Sequence, residues 1–575
     1  MKYFKLLAAI ILCFAIGSCS KILDKKDLNA VDQDATWDDL ALATAYVNRI
    51  YAQDLSEWDD EWTDYSEESD GGGSYMYGQL TENSVNYWPY DHIRNINVLL
   101  DNIDKGSLEV EDKKRIKGEA LFFRSWLYFQ MVIRYGGVPL VLKPQKIDDD
   151  LLVKRSPTSA CMNQILNDLD SAIAYLPIIE AGSAQNDGHL HKGTAMAIKG
   201  RVLLFYASPQ FDPAQSSKDR WQAAYDANKA ARVYLEAHGF GLFPDFAGLW
   251  FSEMNKEDIF VRRYQYNPNN DMSFSHWAAA TRPLDASQGS TGANRPSLEL
   301  VNTFPMKDGK SIDDSHSAYT YDPDFLWKNR DPRFNATIAY NGALWELSST
   351  SGRIEWTYVG GEQNNPTPTG FYCRKAVDVS QDAIDAYQSS TDWVEMRFAE
   401  VLLNEAESAN EIGKTAEAYP ALVALRTRAG IDPGSDHLYG LKAGMNQAEM
   451  RKAIALERQI EFAFEGKRYW DLRRTRAFES TLNGTRRHGY TIALKIAETT
   501  WESLLKTKTS SEMLTLMDQH YPDYFSQTVR LLDTQFDINW KPEYYFFAIP
   551  AEHLELNSNL EQTKGWPGGT FDPLK

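Results

Sequence analysis

The chain has 575 residues and carries a formal net charge of -20 at pH 7. A strongly acidic protein repels the phosphate backbone, so we expect no nucleic-acid ligand. The length is ample for a large core, in one big domain or in two closely joined ones. Aromatic residues make up 13%, including 16 Trp and 30 Tyr. Their flat faces with a polar handle suit sugar rings, although any single aromatic side chain is more often part of the core.

The N-terminus has the features of a secretory signal peptide. Lys2 and Lys5 precede an apolar run over residues 6–16, and small residues stand directly before Cys19. At about 1.5 Å per residue this run is too short to cross a bilayer core of about 30 Å. The pattern predicts a signal peptide over 1–18 and a bacterial lipobox whose cysteine thiol carries the lipid, with palmitate-type acyl chains. The alternative is an ordinary signal peptide with a chance cysteine.

The residues that follow predict a soluble body on a lipid tether. Residues 20–34 are polar, mean hydropathy is -0.47, and no further long apolar run follows. Several acyl chains on Cys19 would hold such a protein firmly to a membrane. Cys161 and Cys373 remain after the signal is removed, and the sequence leaves open whether they form a disulfide.

Helical periodicity recurs along most of the chain, with mostly short connections between the periodic segments. This indicates antiparallel helix pairs stacked in sequence, as in a repeat solenoid. We predict helices over residues 36–51, 90–103, 113–135, 159–175, 192–207, 221–238, 392–412, 415–429 and 447–473, and an irregular helical stretch over 499–521.

Two regions depart from this helical pattern. Residues 57–78 combine acidic residues, three consecutive glycines and several aromatics, which favours a long loop that displays aromatic side chains. The middle of the chain begins with a predicted strand at 259–266, continues through a loop at 267–296, and then has short strand-like pieces to residue 375. Another strand-like segment lies at 544–549.

Four motifs then stand in a specific order behind the lipobox. They resemble the hallmark segments of the SusD/RagB family, and the resemblance runs from Cys19 almost to the C-terminus. Thr563 departs from it, because an asparagine is more usual there. The motifs are GEALFFRSWLYF (118–129) with RYGGVP (134–139), RFAEVLLNEAE (397–407) with RTRAG (426–430), ERQIEFAFEGKRYWDLR (457–473), and the closing segments at 549–550 and 557–565.

This resemblance implies a mainly α fold, in which a tetratricopeptide-like helical repeat scaffold carries an irregular α+β subdomain. It also implies an outer-membrane, surface-facing lipoprotein that captures oligosaccharides and delivers them to a TonB-dependent barrel transporter of the SusC type. Some members serve peptide uptake instead. The expected divisions are a signal peptide (1–18), a lipidated tether (19–34), an N-terminal helical region (35–260), an irregular subdomain (261–390), a helical repeat region (391–475) and a C-terminal irregular region (476–575).

The acidic and basic residues of the motifs have two interpretations. Their i,i+3 and i,i+4 spacing in 457–473 could form a catalytic carboxylate cluster, but a structural salt-bridge network that holds helices together is the favoured interpretation. Arg124 has the same expected role. These hallmark residues are expected to define the fold rather than to mark the ligand.

The sequence contains no motif that indicates catalysis. It has no HExxH, GxSxG or phosphate loop, and we expect no enzyme activity, no cofactor and no metal. His189 and His191 alone are too few ligands for a metal site. The acidic run over 59–70 could contact Ca²⁺, but it lacks the EF-hand order and is better explained as a solvated face.

We therefore expect a glycan-binding arc of exposed aromatics with polar neighbours, located in the two loop regions. The alternatives are a peptide-uptake protein on the same fold, whose site should be less aromatic, and a surface hydrolase, for which the sequence neither finds nor excludes a carboxylate pair. The candidate contacts are Trp62, Tyr65, Tyr75, Tyr77, Asn83, Asn86 and Trp88 from the first loop region, and Trp277 and Arg282 from the second.

Overall fold

The computed structural model describes residues 35–56, 66–67, 73–146, 148–265, 277, 281–283, 292–361, 367–382 and 389–575. Its helices are α1 (Leu40–Asp54), α2 (Gly73–Met76), α3 (Tyr90–Asn102), α4 (Val110–Tyr135), α5 (Thr158–Tyr175), α6 (Lys192–Ala207), α7 (Lys218–Ala237), α8 (Leu298–Thr303), α9 (Pro332–Thr337), α10 (Phe398–Glu411), α11 (Tyr419–Ala429), α12 (Gln447–Glu461), α13 (Arg468–Arg474), α14 (Phe478–Thr481), α15 (Glu498–Thr507), α16 (Ser510–Tyr524) and α17 (Ala551–Leu556).

The strands are short and pair only in twos within the described residues. All five pairs are antiparallel: β1 (Ser66–Glu67) with β3 (Arg295–Pro296), β2 (Asp258–Arg262) with β8 (Trp393–Arg397), β4 (Ile338–Tyr340) with β7 (Phe371–Cys373), β5 (Ala343–Leu344) with β6 (Ile354–Glu355), and β9 (His488–Leu494) with β10 (Phe525–Leu531). The protein is therefore mainly helical, as expected.

Consecutive helices form the body of the molecule. Helices α4 and α5 pack together, as do α6 and α7, and α10 packs on α7. Helix α4 is the central element, because almost every side chain from Phe122 to Tyr135 is buried. It ends at Gly136, which adopts a φ of +76°, and a Cβ atom there would lie 2.5 Å from Pro573. Glycine permits both the turn and this close approach.

The helix boundaries that periodicity predicts agree with most observed helices, but the prediction of one helix over 392–412 is wrong in its first part. Residues Trp393–Arg397 form strand β8, which is buried along its whole length and pairs with β2. Likewise, 447–473 is two helices, α12 and α13, separated by residues Phe464 and Gly466 with positive φ. The segment predicted as a strand at 544–549 begins in a 3₁₀ turn, Pro542–Tyr545.

The charged hallmark residues form a buried ion-pair network, which confirms the structural interpretation. Arg397 donates to Glu257, Glu461 and Glu465 at 2.6–2.8 Å, and Arg333 donates to Glu457 and Glu461 at 2.7–2.9 Å. Each charge is offset by neighbours in a region that excludes water. The further members are Asp331, Lys375, Arg426 and Arg428.

Arg124 also has the structural role that was expected. It is buried and binds both carboxylate oxygens of Asp168 at 2.7 Å, which joins α4 to α5. The two cysteines whose pairing the sequence left open, Cys161 and Cys373, are both buried and are not joined to each other by a disulfide. Within the described ranges, no helix is both long and apolar enough to cross a bilayer.

Candidate binding cleft

A cavity of about 480 Å³ opens where several helices end near one another. The end of α1, the start of α3, the C-terminal half of α4, helix α6, strand β8 and residues 466–471 all contribute to its wall. Its volume falls in the range of about 300–1,000 Å³ that is typical of small-molecule sites. The lining includes Gln53, Asp54, Ser56, Tyr87, His92, Trp126, Gln130, Arg134, Arg201, Trp393, Glu395, Glu400, Arg458, Lys467 and Trp470.

One wall of the cleft is a stack of aromatic rings around an arginine. The Arg134 guanidinium carbon lies 4.6 Å from the centre of the Tyr87 ring and 4.7 Å from that of Trp470. Its Nη1 donates to the backbone oxygen and Oε1 of Gln130, at 2.9 and 2.7 Å. All three stacked groups are only partly buried, so part of the surface of each remains accessible.

A buried ion-pair cluster forms the opposite wall. Arg201 donates to Glu395 at 2.5 Å and to Glu400 at 2.6 Å, and Lys467 donates to Glu395 at 3.1 Å. Burial raises the pKa of Glu400, but Arg201 and Lys467 outweigh burial and hold that pKa at about 2. These charges therefore stay ionised at neutral pH and are mutually offset.

A second acid–base pair lies at the mouth. Nδ1 of His92 is 2.6 Å from Oδ1 of Asp54, which joins the start of α3 to the end of α1. Burial raises the pKa of Asp54 to about 6, against the opposing effect of His92. The pair fixes the position at which the chain leaves α1 and enters the first predicted loop region.

The two predicted loop regions meet in the structure. The first leaves the cleft at Ser56 and returns at α2, where the Tyr75 ring lies 6.1 Å from that of Tyr469, next to Trp470. Between these ends, strand β1 pairs with strand β3 at the end of the second loop region, with Ser66 opposite Pro296. The two regions therefore lie next to each other at these paired segments.

The predicted contact residues fall into three groups: those outside the described residues, those packed against other side chains, and those buried in the protein. Cys19, Trp62, Tyr65 and the residues of the acidic run other than Glu67 lie outside the described residues, and of Glu67 only the backbone is described. Tyr75 packs on Tyr469 and Phe547, and Tyr77 donates its hydroxyl hydrogen to Asp533 and contacts Phe536.

The polar residues of the first region attach it to α17 instead of lining the cleft. Oδ1 of Asn83 accepts a hydrogen bond from the backbone of Ala551 at 2.9 Å, and Asn86 donates to Glu552 at 2.5 Å. Trp88 stacks on His553 with ring centres 5.0 Å apart. The neighbouring residue in sequence, Tyr87, is the one that lines the cleft.

The expectation that Trp277 and Arg282 are exposed is wrong. Trp277 is 3% exposed and donates its Nε1 hydrogen to the backbone of Lys375 at 3.0 Å. Arg282 is fully buried and donates to the backbone of Gln381 at 2.9 Å and to Ser348 at 2.8 Å. An indole or guanidinium in a polar loop can secure the loop to the core, and both do so here.

Sequence reasoning missed Tyr87, Arg134 and Trp470, although two of them stand inside the quoted motifs. Arg134 precedes the glycine pair that ends α4, and Trp470 follows a chain reversal at Gly466. An aromatic or arginine placed at a helix end beside a glycine turn is a signal for an accessible position, and it could have identified both.

His189 and His191 are structural. His189 pairs with Asp187 at 2.9 Å, and His191 is buried with its ring 5.1 Å from that of Phe240. The described residues bring no three His, Cys, Asp or Glu side chains together in an arrangement that could hold a metal ion.

Comparison with known proteins identifies the family. The SusD family model matches residues 247–566, more than half of the chain, and a model described as "Starch-binding associating with outer membrane" matches residues 18–204. A SusD-like protein of Formosa agariphila is 24% identical over 82% of this chain and 91% of its own length.

Solved structures show the same fold. A SusD-like protein of Bacteroides fragilis aligns with a TM-score of 0.73 at 23% identity, covering 93% of this chain and 99% of its own. A SusD-like carbohydrate-binding protein of the same species gives a TM-score of 0.71 at 22% identity, over 92% and 100% of the two chains. A protein described as a laminarin-binding SusD-like protein gives 0.61 at 20% identity, over 92% and 100%. With these motifs, this fold and these matches, the chain belongs to the SusD family.

Proposed function

We propose that this protein is a cell-surface nutrient-binding lipoprotein that captures oligosaccharides and delivers them to a SusC-like TonB-dependent outer-membrane transporter. Membership of the SusD family supports the class, which one family model describes as starch-binding and associated with the outer membrane. Two solved relatives are named for carbohydrate or laminarin binding. Cys19 is the proposed site of lipid attachment.

The observation that carries the proposal is the combination of groups in the cleft. Tyr87 and Trp470 offer apolar ring surface, and Gln53, Gln130 and His92 offer hydrogen-bonding groups beside it. Sugars present C–H faces together with hydroxyl groups, so they need this mixture of flat apolar surface and polar partners. Ser56, the last described residue before the aromatic-rich loop region, lines the same cleft.

Binding without chemistry is the proposed mode of action. The cleft carboxylates Glu395 and Glu400 are each held by Arg201 and are unavailable as acid or base. Steady release of reducing ends from a polysaccharide by the purified protein would contradict this part of the proposal.

Replacement of Trp470 by Ala tests the position of the site. We expect glycan affinity to fall about tenfold, which corresponds to about 1.4 kcal/mol, because a stacking face is lost. Calorimetric titration with the oligosaccharide that binds best in a screen provides the measurement. Trp88→Ala is the matched control, since Trp88 stacks on His553 outside the cleft. Unchanged affinity in Trp470→Ala, or loss in Trp88→Ala alone, would place the site elsewhere.

A further inference from the structure

The basic groups of the cleft are not equally neutralised. Arg201 and Lys467 pair with Glu395 and Glu400, as described above. Arg458 donates to Asp471 at 2.8 Å and to an oxygen of Asn404. Each of these cations therefore has a carboxylate partner within the protein.

Arg134 differs from them. Among the described residues it has no carboxylate within 4.0 Å, and the only hydrogen bonds of its guanidinium are the two from Nη1 to Gln130. Its Nε and Nη2 donate to none of the described residues. The Tyr87 and Trp470 rings hold the guanidinium plane in place without neutralising its charge.

A second arginine without a carboxylate partner among the described residues contacts the same tryptophan. Arg473 is fully buried, with its guanidinium carbon 5.5 Å from the Trp470 ring centre and 3.8 Å from that of Phe547. It donates to the backbone oxygens of Arg134 and Tyr545, and no carboxylate of the described residues lies within 4.0 Å. Burial lowers the pKa of Arg473 to about 10, so it remains a cation at neutral pH.

The nearby acidic groups do not offset these two charges. Asp54 is already engaged by His92, whose Nδ1 lies 2.6 Å from the Asp54 carboxylate. Burial raises the pKa of the Tyr87 phenol to about 12, which keeps it neutral. A locally positive wall therefore lies within a protein whose net charge is -20.

We propose that the cleft selects acidic saccharides, with the ring of the sugar beside Trp470 and its carboxylate or sulfate on the free edge of Arg134. This rests on the proposed glycan-binding function and narrows it to a substrate class. A guanidinium binds a carboxylate or sulfate through two parallel hydrogen bonds, and such bonds are about twice as strong as neutral ones. The stacking of Arg134 between two rings presents that edge already oriented.

The first experiment compares an acidic sugar with its neutral counterpart. The probes are trigalacturonate and its fully methyl-esterified form, and galactose 6-sulfate against galactose, titrated into the wild-type full chain by calorimetry. We expect the acidic form of at least one pair to bind ten or more times more tightly, with the difference shrinking in high salt because screening weakens charge contacts. The two pairs separate a preference for carboxylate from one for sulfate.

The second experiment assigns the preference to Arg134. Arg134→Gln is expected to abolish the tenfold preference, so that the acidic form and its neutral counterpart bind the variant with the same affinity, whatever that affinity is. Arg220→Gln is the matched control, because Arg220 stacks on Tyr206 at 3.9 Å outside the cleft. Thermal melts of both variants verify that each is folded.

The outcomes separate this inference from the proposed function. Equal or weaker binding of the acidic forms, or a preference that survives in Arg134→Gln, overturns the acidic-sugar inference and leaves glycan binding intact. Absence of binding to any glycan, together with Arg134-dependent binding of trialanine through its carboxylate, overturns both and indicates peptide uptake.

Discussion

At the scale of single residues, two buried carboxylates behave in opposite ways. Glu400 has its charge matched by Arg201 and Lys467, and its pKa falls to about 2. Asp392 is 6% exposed, accepts one hydrogen bond from the backbone of Tyr264, and has a basic group, Arg263, no nearer than 3.7 Å. Burial raises the pKa of Asp392 to about 7. Whether a basic group lies close by, more than the extent of burial, therefore decides whether the pKa of a buried carboxylate rises or falls.

Asp392 gives a prediction for pH dependence. Its folded pKa lies above the ordinary value of 3.8, so its contribution to stability is full below pH 4 and is lost as the pH rises through 7. Asp392→Asn keeps an oxygen for Tyr264 and removes the charge. We expect the variant to be more stable than wild type at pH 8, by on the order of 2 kcal/mol, and equal to it near pH 4.

Denaturant unfolding at both pH values measures this difference. Asp226→Asn on the exposed face of α7 is the control, and it should give no pH-dependent gain. A stability difference for Asp392→Asn that does not change between pH 4 and pH 8 would contradict the assigned pKa.

The candidate contacts show what the sequence reveals at this scale. The two loop regions were predicted, and the β1–β3 pairing brings them together. Trp277 and Arg282 were predicted as exposed, because a polar loop gives no sign that one of its side chains points inwards. The stack of Tyr87, Arg134 and Trp470 joins segments far apart in sequence, so no local pattern contains it.

At the scale of elements, helix packing depends on close approach at small residues. Gly200 of α6 lies against the buried Asn228 of α7, which donates to the backbone oxygen of Gly200 at 3.1 Å. A Cβ atom at Gly200 would lie 2.3 Å from Oδ1 of Asn228. This distance is far below van der Waals contact, so a larger residue at position 200 would force the Asn228 side chain or the two helices to move.

Gly200→Ala should therefore destabilise the protein. The clash should cost about 1–3 kcal/mol, more than the gain of up to about 1 kcal/mol in helix propensity. Adding Asn228→Ala to the Gly200→Ala variant removes the clashing atoms and should recover part of the lost stability. A double-mutant cycle measures this recovery. The exposed change Gln222→Ala is the control. A Gly200→Ala variant as stable as wild type would contradict the packing argument.

Periodicity predicted most helices because one face of each is buried. It failed at β8, a five-residue segment that is buried throughout although it contains Glu395 and Arg397, because a short segment buried on both faces has no periodicity that distinguishes a strand from a helix. It also failed between α12 and α13, because no periodic signal marks a reversal made by residues with positive φ, here Phe464 and Gly466.

At the scale of the whole molecule, the buried ion-pair network connects the helical body to the irregular middle of the chain. Arg333 and Lys375 come from the middle, whereas Glu457 and Glu461 lie in α12 and Glu465 lies shortly after it. The network is well suited to fix how these parts fit together, since each charge is satisfied only when all the segments are in place.

Removal of one central cation should be costly. Arg397→Met leaves three buried carboxylates short of a partner, and we expect a loss of about 3–5 kcal/mol in the free energy of unfolding. Arg451→Met removes an exposed arginine that binds Glu411, and it should cost less than about 1 kcal/mol. The denaturant midpoints of the two variants provide the comparison. Similar losses of stability in both would show that the network is not the stabilising element.

The β1–β3 pairing has a consequence for how the ligand preference of such a protein can change. Among the described residues, the scaffold meets the two loop regions at Ser56, α2, the pair at Ser66 and Pro296, and the buried Trp277 and Arg282. None of these attachment points belongs to the ion-pair network that joins the helices. We expect a laboratory transplant of loop sequence between relatives, with these attachment points kept, to transfer ligand preference while the network stays in place.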